Sequence, residues 1–329
     1  MTIYDIARLA DVSASTVSRV IGNKPGVKAE TRNKVRKILK DYDFSINETA
    51  SGLARHSSKL VGIVMADIRM VHHNTAAYVI ECELTKRGYY STIINTGTEM
   101  ERKLESIRSL KQRRVEAAVF LGSSFQDEMI LEQIEKYIGD IPVVMLNSEL
   151  DLPNVYSVMM GEYQGVEDCV RFLAKKNRKR IVMVSGTYSL GNMRKQEGYI
   201  QCMKALELTN EIHVYGPCDG SPDSGYNITK KILRDYPATN AIIYAYDSIA
   251  TGGIRAIHEN NRRIPEDISV IGIDNTIYSL SSYPTMTALD TKIEDIAYVV
   301  ARQVQSLLEG RVTPKKISVP AVIVERNTT

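Results

Sequence analysis

Thr2-Ile3-Tyr4-Asp5-Ile6-Ala7-Arg8-Leu9-Ala10-Asp11-Val12-Ser13-Ala14-Ser15-Thr16-Val17-Ser18-Arg19-Val20 opens the chain with two short amphipathic patterns separated by a turn. Thr2 and Asp5 have the spacing of a capping box, so a helix starts at residue 3, with Ile6, Leu9 and Ala10 on its apolar face. Asp11-Val12 makes a short connection, and Ser13 caps a second helix that reaches residue 21 on Val17, Val20 and Ile21. Gly22-Asn23-Lys24-Pro25-Gly26 has loop composition. Residues 28–42 then read as a third helix with Val35, Ile38, Leu39 and Tyr42 facing inward.

Off its apolar face the second helix carries Ala14, Ser15, Thr16, Ser18 and Arg19. Small side chains allow close approach to a major groove. Ala14 and Ser15 fall in the first turn, where a recognition helix meets base edges, and Arg19, one turn on, reaches a guanine edge or a phosphate. Ser13, Thr16, Ser18 and Asn23 are potential donors to phosphate oxygens, contacts that set register. For any one of them alone an ordinary exposed helix residue is the better reading, but the set is not ordinary.

Charge distribution points the same way. The 329 residues carry a formal net charge of only +3. Residues 1–59 hold eleven Lys and Arg against six Asp and Glu, an excess of +5, which leaves −2 for the remainder. Residues 28–40 alone contain Lys28, Arg32, Lys34, Arg36, Lys37 and Lys40 against Glu30, a balance suited to a phosphate backbone or, as the bland reading, to a solvated helix face.

The first twenty residues resemble the helix-turn-helix signature of the LacI/GalR family of bacterial transcriptional repressors. The resemblance implies DNA contacts from Thr2, Tyr4, Ser13, Ala14, Ser15, Thr16, Ser18, Arg19 and Asn23. It continues into residues 47–55, where the family has a hinge helix, and implies further contacts from Asn47, Ala50 and Leu53. Leu53 of each protomer would wedge into the minor groove and kink the duplex. Departures from the family pattern are Ile46 in place of proline, Ser51-Gly52 in place of an Arg-Ser pair, and Ala54 in place of a basic residue.

From residue 60 onward, apolar strands alternate with amphipathic helices. Strands are expected at 60–66, 91–95, 117–122 and 141–146, then, in a second series from about 160, at 181–184, 212–215, 241–245 and 269–273. Helices are expected at 75–87, 100–113, 129–138, 165–175, 194–206, 226–235 and 248–260. Such alternation demands parallel sheets covered by helices on both faces. The fold class is therefore α/β: an N-terminal all-α helix-turn-helix domain followed by two doubly wound parallel-sheet lobes. Expected boundaries are 1–46 for the head, 47–59 for the hinge, 60–158 with 290–320 for one lobe, and 159–289 with 321–329 for the other.

In open parallel sheets, ligands bind beyond the carboxyl ends of the strands, and two lobes facing each other make a cleft. Those ends carry Asp67, Ser123, Ser124, Asn147, Tyr246, Asp247 and Asp274, a hydrogen-bonding set suited to a sugar, although Asp and Ser there also cap following helices. This region is similar to the periplasmic-binding-protein-like effector core of the same family. Ile264-Pro265-Glu266-Asp267-Ile268-Ser269-Val270-Ile271-Gly272-Ile273-Asp274-Asn275 matches a late signature whose aspartate, Asp274 here, contacts effector in many members. The resemblance implies effector contacts from Asp67, His72, His73, Ser124, Asn147, Lys195, Tyr246 and Asp274. His72 and His73 stand where aromatic residues are usual and are read as ligand contacts, pH sensors or loop residues. Lys195 replaces a common arginine, and Gly161-Glu162 an Asp-Asn pair. A positive charge at Lys195, with Arg194 beside it, leaves a sugar phosphate and a neutral oligosaccharide both open.

Several function classes are excluded or demoted. Residues 1–10 lack a signal-peptide core, and no apolar run reaches ~20 residues, so a cytoplasmic protein with no membrane partner is expected. Cys82, Cys169, Cys202 and Cys218 are widely spaced and read as reduced thiols; no metal and no cofactor is expected. Dinucleotide, Walker A, G-x-S-x-G and H-E-x-x-H motifs are missing, so no catalytic residue is assigned and an enzyme is disfavoured. A sugar-binding receptor without DNA function leaves the basic head unexplained. The reading is a homodimeric repressor of near-palindromic double-stranded operator DNA, released by a small-molecule effector, a carbohydrate, with an effector-tightened regulator as the alternative. Gly52 lowers helix stability by about 1 kcal/mol relative to alanine. Gly52→Ala should therefore tighten operator binding at fixed salt, and unchanged or weaker affinity would count against a hinge helix here.

Overall fold

Helix α1 (Ile3–Ala10) starts on a complete capping box. Thr2 Oγ1 accepts the Asp5 amide at 3.3 Å, and the Thr2 amide donates to Asp5 Oδ2 at 2.8 Å. In α2 (Ala14–Ile21) the cap is Ser13, whose Oγ accepts the Thr16 amide at 3.2 Å; α3 (Ala29–Asp41) completes the unit. Ile6, Ala7, Ala10, Val17, Val20 and Val35 pack into its core. Two inward assignments are corrected, since Leu9 is 46% and Tyr42 52% exposed. The inner stripe of α1 runs through residues 3, 6, 7 and 10, the i, i+3, i+4, i+7 positions, which leaves residue 9 outside it. Tyr42 lies past the last turn of α3 as its C-cap.

The computed structural model describes residues 1–42 and 57–329, and the chain divides into the units Met1–Ser58 and Lys59–Thr329. Asn47, Ala50 and Leu53 of the expected hinge lie outside the described residues. No described helix is long and apolar enough to cross a membrane.

The second unit holds two six-stranded sheets, in agreement with the expected fold class. The first contains β1 (Leu60–Met65), β2 (Tyr90–Asn95), β3 (Ala117–Leu121), β4 (Val143–Leu146), β5 (Val155–Met160) and β11 (Lys316–Val319), in the order β11-β5-β4-β3-β1-β2, all parallel. The second contains β6 (Ile181–Val184), β7 (His213–Tyr215), β8 (Ala241–Tyr244), β9 (Ser269–Ile273), β10 (Thr287–Asp290) and β12 (Val322–Val324), in the order β12-β10-β9-β8-β6-β7. Its β10–β12 pair is antiparallel and the other pairs are parallel. Both sheets share the 2-1-3-4-5 doubly wound order in their first five strands.

Helices α4 (Val71–Thr85), α5 (Met100–Gln112), α6 (Glu128–Ile138) and α12 (Ile293–Leu308) cover the first sheet. The second is covered by α7 (Glu162–Lys175), α8 (Leu190–Ala205), α9 (Pro222–Asp235) and α10 (Asp247–Glu259), and the short α11 (Ile277–Ser281) follows β9. Alternate residues of one strand enter opposite cores: Ala117, Val119 and Leu121 of β3 pack toward α4 and α12, Ala118 and Phe120 toward α5 and α6. That is why β3 is an unbroken apolar run, buried at every position. The chain crosses between sheets three times, after β5, before β11 and before β12. Such parallel connections between lobes are the usual site of hinge motion.

Helix starts and several elements depart from expectation. Strands β5, β10 and β11 and helices α11 and α12 had no expected counterpart, and α4, α7, α8 and α9 begin three or four residues earlier than their apolar periodicity indicates. Their first turns hold His72, His73, Gly191, Asn192 and Pro222, residues that weaken a helical pattern although a first turn tolerates them. Close packing of α9 on α10 depends on Gly252, where a Cβ would overlap the Pro222 carbonyl. Gly252→Ala should lower stability by about 1–3 kcal/mol, read as a fall in the denaturation midpoint; an unchanged midpoint would mean that this helix pair can separate freely.

Candidate ligand cavity and nucleic-acid interface

In the first unit, Thr2, Tyr4, Ser13, Ser15, Ser18, Arg19 and Asn23 are exposed, and Ala14 and Thr16 half-buried. Ser13 Oγ lies 2.8 Å from Ser15 Oγ and 2.9 Å from Thr16 Oγ1, so the N-terminus of α2 presents a linked cluster of hydroxyls. Asn23, with φ at 50°, accepts hydrogen bonds on Oδ1 from Arg32 at 3.0 Å and Arg36 at 3.2 Å. Its side chain thereby orients two guanidinium groups of α3, a positioning role that spacing alone did not reveal.

The second unit encloses a cavity of about 220 Å³ where the carboxyl ends of both sheets meet. Asp67, His72, His73, Ser124, Asn147, Lys195, Tyr246 and Asp274 all line it. Asp67, Ser124 and Asn147 come from the ends of β1, β3 and β4, Tyr246 and Asp274 from the ends of β8 and β9. The histidines sit in the first turn of α4 rather than in a loop, and Lys195 sits in the second turn of α8. Asn147 and Asp274 have φ of 60° and 102°. The latter is a strained backbone for aspartate, held by the Asp274 amide bonding the Leu289 carbonyl at 2.9 Å, and such strain concentrates where a side chain must be aimed at a site.

Lys195 is a buried cation of the cavity, and it is already engaged. Its Nζ stands 3.4 Å from Glu162 Oε1, donates to the Ala245 carbonyl at 3.1 Å and lies 5.0 Å from the Tyr246 ring centre. Burial works against the ammonium, but Glu162, Asp274 and Tyr246 outweigh it and raise its pKa above the ordinary value. Asp274 is raised by burial, with Lys195 acting in the opposite direction. Among the described residues its carboxylate takes long contacts from Thr291 Oγ1 at 3.4 Å and His72 Nδ1 at 3.5 Å. Burial first, then Lys195, holds His72 down at about 3, so it is neutral at physiological pH. His73 is likewise held at about 3 by burial and by His72. The two imidazoles are 4.1 Å apart, and His72 lies nearly parallel to Tyr246, giving one wall of the cavity a flat, uncharged surface.

Two expectations change here. Arg194 does not line the cavity; its Nη2 donates to Gln126 at 3.1 Å, so it cannot stand in for Lys195. Asp247 lies outside the main cavity, in an adjoining crevice with His72, Tyr246 and Thr276. Oδ2 of Asp247 accepts the Thr276 amide at 2.6 Å and its hydroxyl at 2.9 Å. Burial, then the nearby Asp274, lifts its carboxyl to about 7.

Sequence reasoning missed Asn192 and Lys103 as cavity residues and named Glu162 only as a departure from the family's pocket pattern, with no contact assigned. Asn192 donates through Nδ2 to the Tyr246 hydroxyl and to the Thr187 carbonyl, both at 2.7 Å, and so fixes the tyrosine. Placing the start of α8 four residues late hid it; the N-cap Ser189, which accepts the Asn192 amide, was the available signal. Lys103 reaches in from α5 and donates to the Ser124 carbonyl at 2.8 Å. Among the described residues no group of three or more His, Cys, Asp or Glu side chains is arranged to hold a metal ion.

Residues 2–47 match the model of bacterial regulatory proteins of the lacI family, and residues 170–329 match a periplasmic binding protein-like domain. An HTH-type transcriptional regulator of Lachnoclostridium phytofermentans is 29% identical over 331 residues, covering 100% of this chain and 99% of that protein. Catabolite control protein A of Priestia megaterium is 29% identical, covering 92% and 91%. Among solved structures, the lac repressor dimer bound to operator and the anti-inducer ONPF superposes with a TM-score of 0.92 at 24% identity, covering 100% and 98%. A complex of the transcriptional regulator CelR with cellobiose gives 0.73 at 21% identity and covers both chains fully. At these identities the structural likeness shows the fold alone.

Asp247 makes the stability of the chain depend on pH. Its carboxyl is raised from 3.8 to about 7 on folding, so its contribution is full below about pH 4 and is lost as pH rises through about 7, at most on the order of 4 kcal/mol. Asp247→Asn should flatten the fall of the unfolding midpoint between pH 4 and pH 7; an unchanged pH profile would show that the carboxyl is ionised throughout.

Proposed function

Because the chain belongs to the lacI family of bacterial regulatory proteins, we propose that it is a transcriptional repressor that binds near-palindromic operator DNA as a homodimer and is released by a small carbohydrate. One observation carries this reading: a single chain combines a basic helix-turn-helix unit with a buried hydrogen-bonding cavity between two parallel-sheet lobes. In the DNA complex, α2 lies in the major groove with Ala14, Ser15 and Arg19 toward base edges. Thr2, Tyr4, Ser13, Thr16, Ser18 and Asn23 hold the phosphates, and Asn47, Ala50 and Leu53 engage the minor groove.

At about 220 Å³ the cavity lies below the roughly 300–1,000 Å³ usual for ligand pockets and suits a compact metabolite. Its fixed acceptors and donors, with the flat His72–Tyr246 wall, match the alternating hydroxyls and apolar faces of a sugar. The bound cellobiose of a regulator with this fold supports the same class. Tyr78 on α4 and Tyr90 and Ile93 on the edge strand β2 are exposed and apolar, which supports a partner copy on this side of the first lobe. Effector and operator are coupled to the extent that the cavity prefers one arrangement of the lobes, and a ligand with no such preference shifts nothing.

The test is fluorescence anisotropy on a duplex selected from random sequences. Log affinity should fall linearly with log salt. Arg19→Ala should weaken the selected site by about 1–3 kcal/mol relative to random duplex, and an effector sugar should weaken it further. Equal affinity for selected and random duplex, with no ligand effect, would overturn the reading; a ligand that strengthens binding would replace release by corepression.

A further inference from the structure

Acidic side chains outnumber cations around the cavity, with Asp67, Glu162, Asp219 and Asp274 against Lys103 and Lys195. Glu162, Lys195 and Asp274 are 3%, 3% and 5% exposed and act as one electrostatic group around the lysine ammonium. Two carboxyl groups face one ammonium, burial raising the pKa of Asp274 and Lys195 opposing it. Neighbouring groups do not make up the difference: His72 and His73 are kept neutral by burial, Arg69 is bound through Nε and Nη2 to Asp67, and Arg194 bonds Gln126. Lys103 also lines the cavity, but its Nζ is directed to the Ser124 carbonyl.

Hydrogen bonding shows the same deficit. Among the described residues, Glu162 Oε2 and Asn147 Oδ1 are both buried without a hydrogen-bond partner, and both are acceptors. Gly191 lies over them. A Cβ there would stand 3.0 Å from Glu162 Oε2, 3.2 Å from Asn147 Nδ2 and 2.9 Å from Ser123 Oγ, so any side chain at this position would crowd these groups. Buried acceptors left empty carry a desolvation penalty that a donor removes, and a charged donor makes the stronger bond to a carboxylate oxygen such as Glu162 Oε2. A phosphorylated ligand would meet the opposite conditions: Lys195 is already paired with Glu162, and Lys103, the cavity's other buried ammonium, is turned to the Ser124 carbonyl.

We propose that the effector is an amine-bearing polyol, such as an amino sugar, whose ammonium is held by Glu162 and Asn147 beside Gly191. This rests on the cavity being the effector site. Hydroxyls of the ligand then face Asp274 and the His72–Tyr246 wall. Glu162 thus has two roles: one carboxylate oxygen steadies Lys195, and the other receives the ligand.

Thermal unfolding and calorimetry on the full chain at pH 7 and fixed ionic strength test this with glucosamine, galactosamine and mannosamine. Each is compared with its parent hexose, its N-acetyl derivative and its 6-phosphate. At least one free amine should raise the unfolding midpoint and bind about tenfold or more tightly than its three counterparts. Glu162→Gln should abolish that advantage, and Gly191→Ala should weaken the amine by filling the subsite. If Glu162→Gln does not fold, Glu162→Gln/Lys195→Met removes both partners and should show the same loss. A hexose or phosphate that binds as tightly as its amine overturns the ammonium assignment, as does the absence of any shift with the amines. A neutral hexose that binds and changes operator affinity overturns this assignment alone and leaves the effector role of the cavity standing.

Discussion

Lys195 stands where the carboxyl edges of two parallel sheets meet, held by Glu162 on one side and within reach of Asp274 on the other. A buried ammonium is tolerable only with such partners, and removing either one leaves a charge stranded in a poorly hydrated site. The surrounding architecture follows from that requirement. Glu162 is presented by the first turn of α7, Lys195 by α8, Asp274 by the end of β9, and the Ala245 carbonyl by the end of β8, so the second sheet and both helices on one of its faces must be in register before the group can form. The first sheet closes the space with Ser123 and Asn147.

Polar groups collect here for a reason rooted in sheet geometry. Inside each sheet the strands are buried on both faces and admit little except apolar side chains. Only where a strand ends can the chain carry Asp, Ser or Asn without stranding them in the core. Parallel strands all end on the same edge, so two facing sheets gather these residues from segments scattered between Asp67 and Asp274. Asn147 and Asp274 adopt positive φ at those ends, which turns their side chains into the cavity at some local conformational expense.

Much of this was legible in the residues. Capping signals located α1 and α2, alternating strand and helix patterns identified two parallel sheets, and polar residues at strand ends marked the cavity. Periodicity failed at helix starts. His72, His73, Gly191 and Asn192 are poor helix residues by propensity, yet each occupies a first turn whose geometry is set by the strand before it. Leu9 and Tyr42 failed differently: an apolar residue says that burial is favourable, and only the packed helices decide whether a partner surface is present.

Local chemistry was sufficient for the helix-turn-helix unit, the alternation that makes two α/β lobes and the identity of the strand-end residues, because each depends on neighbours a few positions apart. The partner of Lys195, the orientation of Arg194 away from the cavity, the neutrality of the histidine pair and the uncovered acceptors beside Gly191 depend on residues that approach only after both sheets have formed. Charge compensation and burial are properties of that three-dimensional neighbourhood, and the same lysine that reads as a free cation along the chain is, once folded, the occupied half of an ion pair.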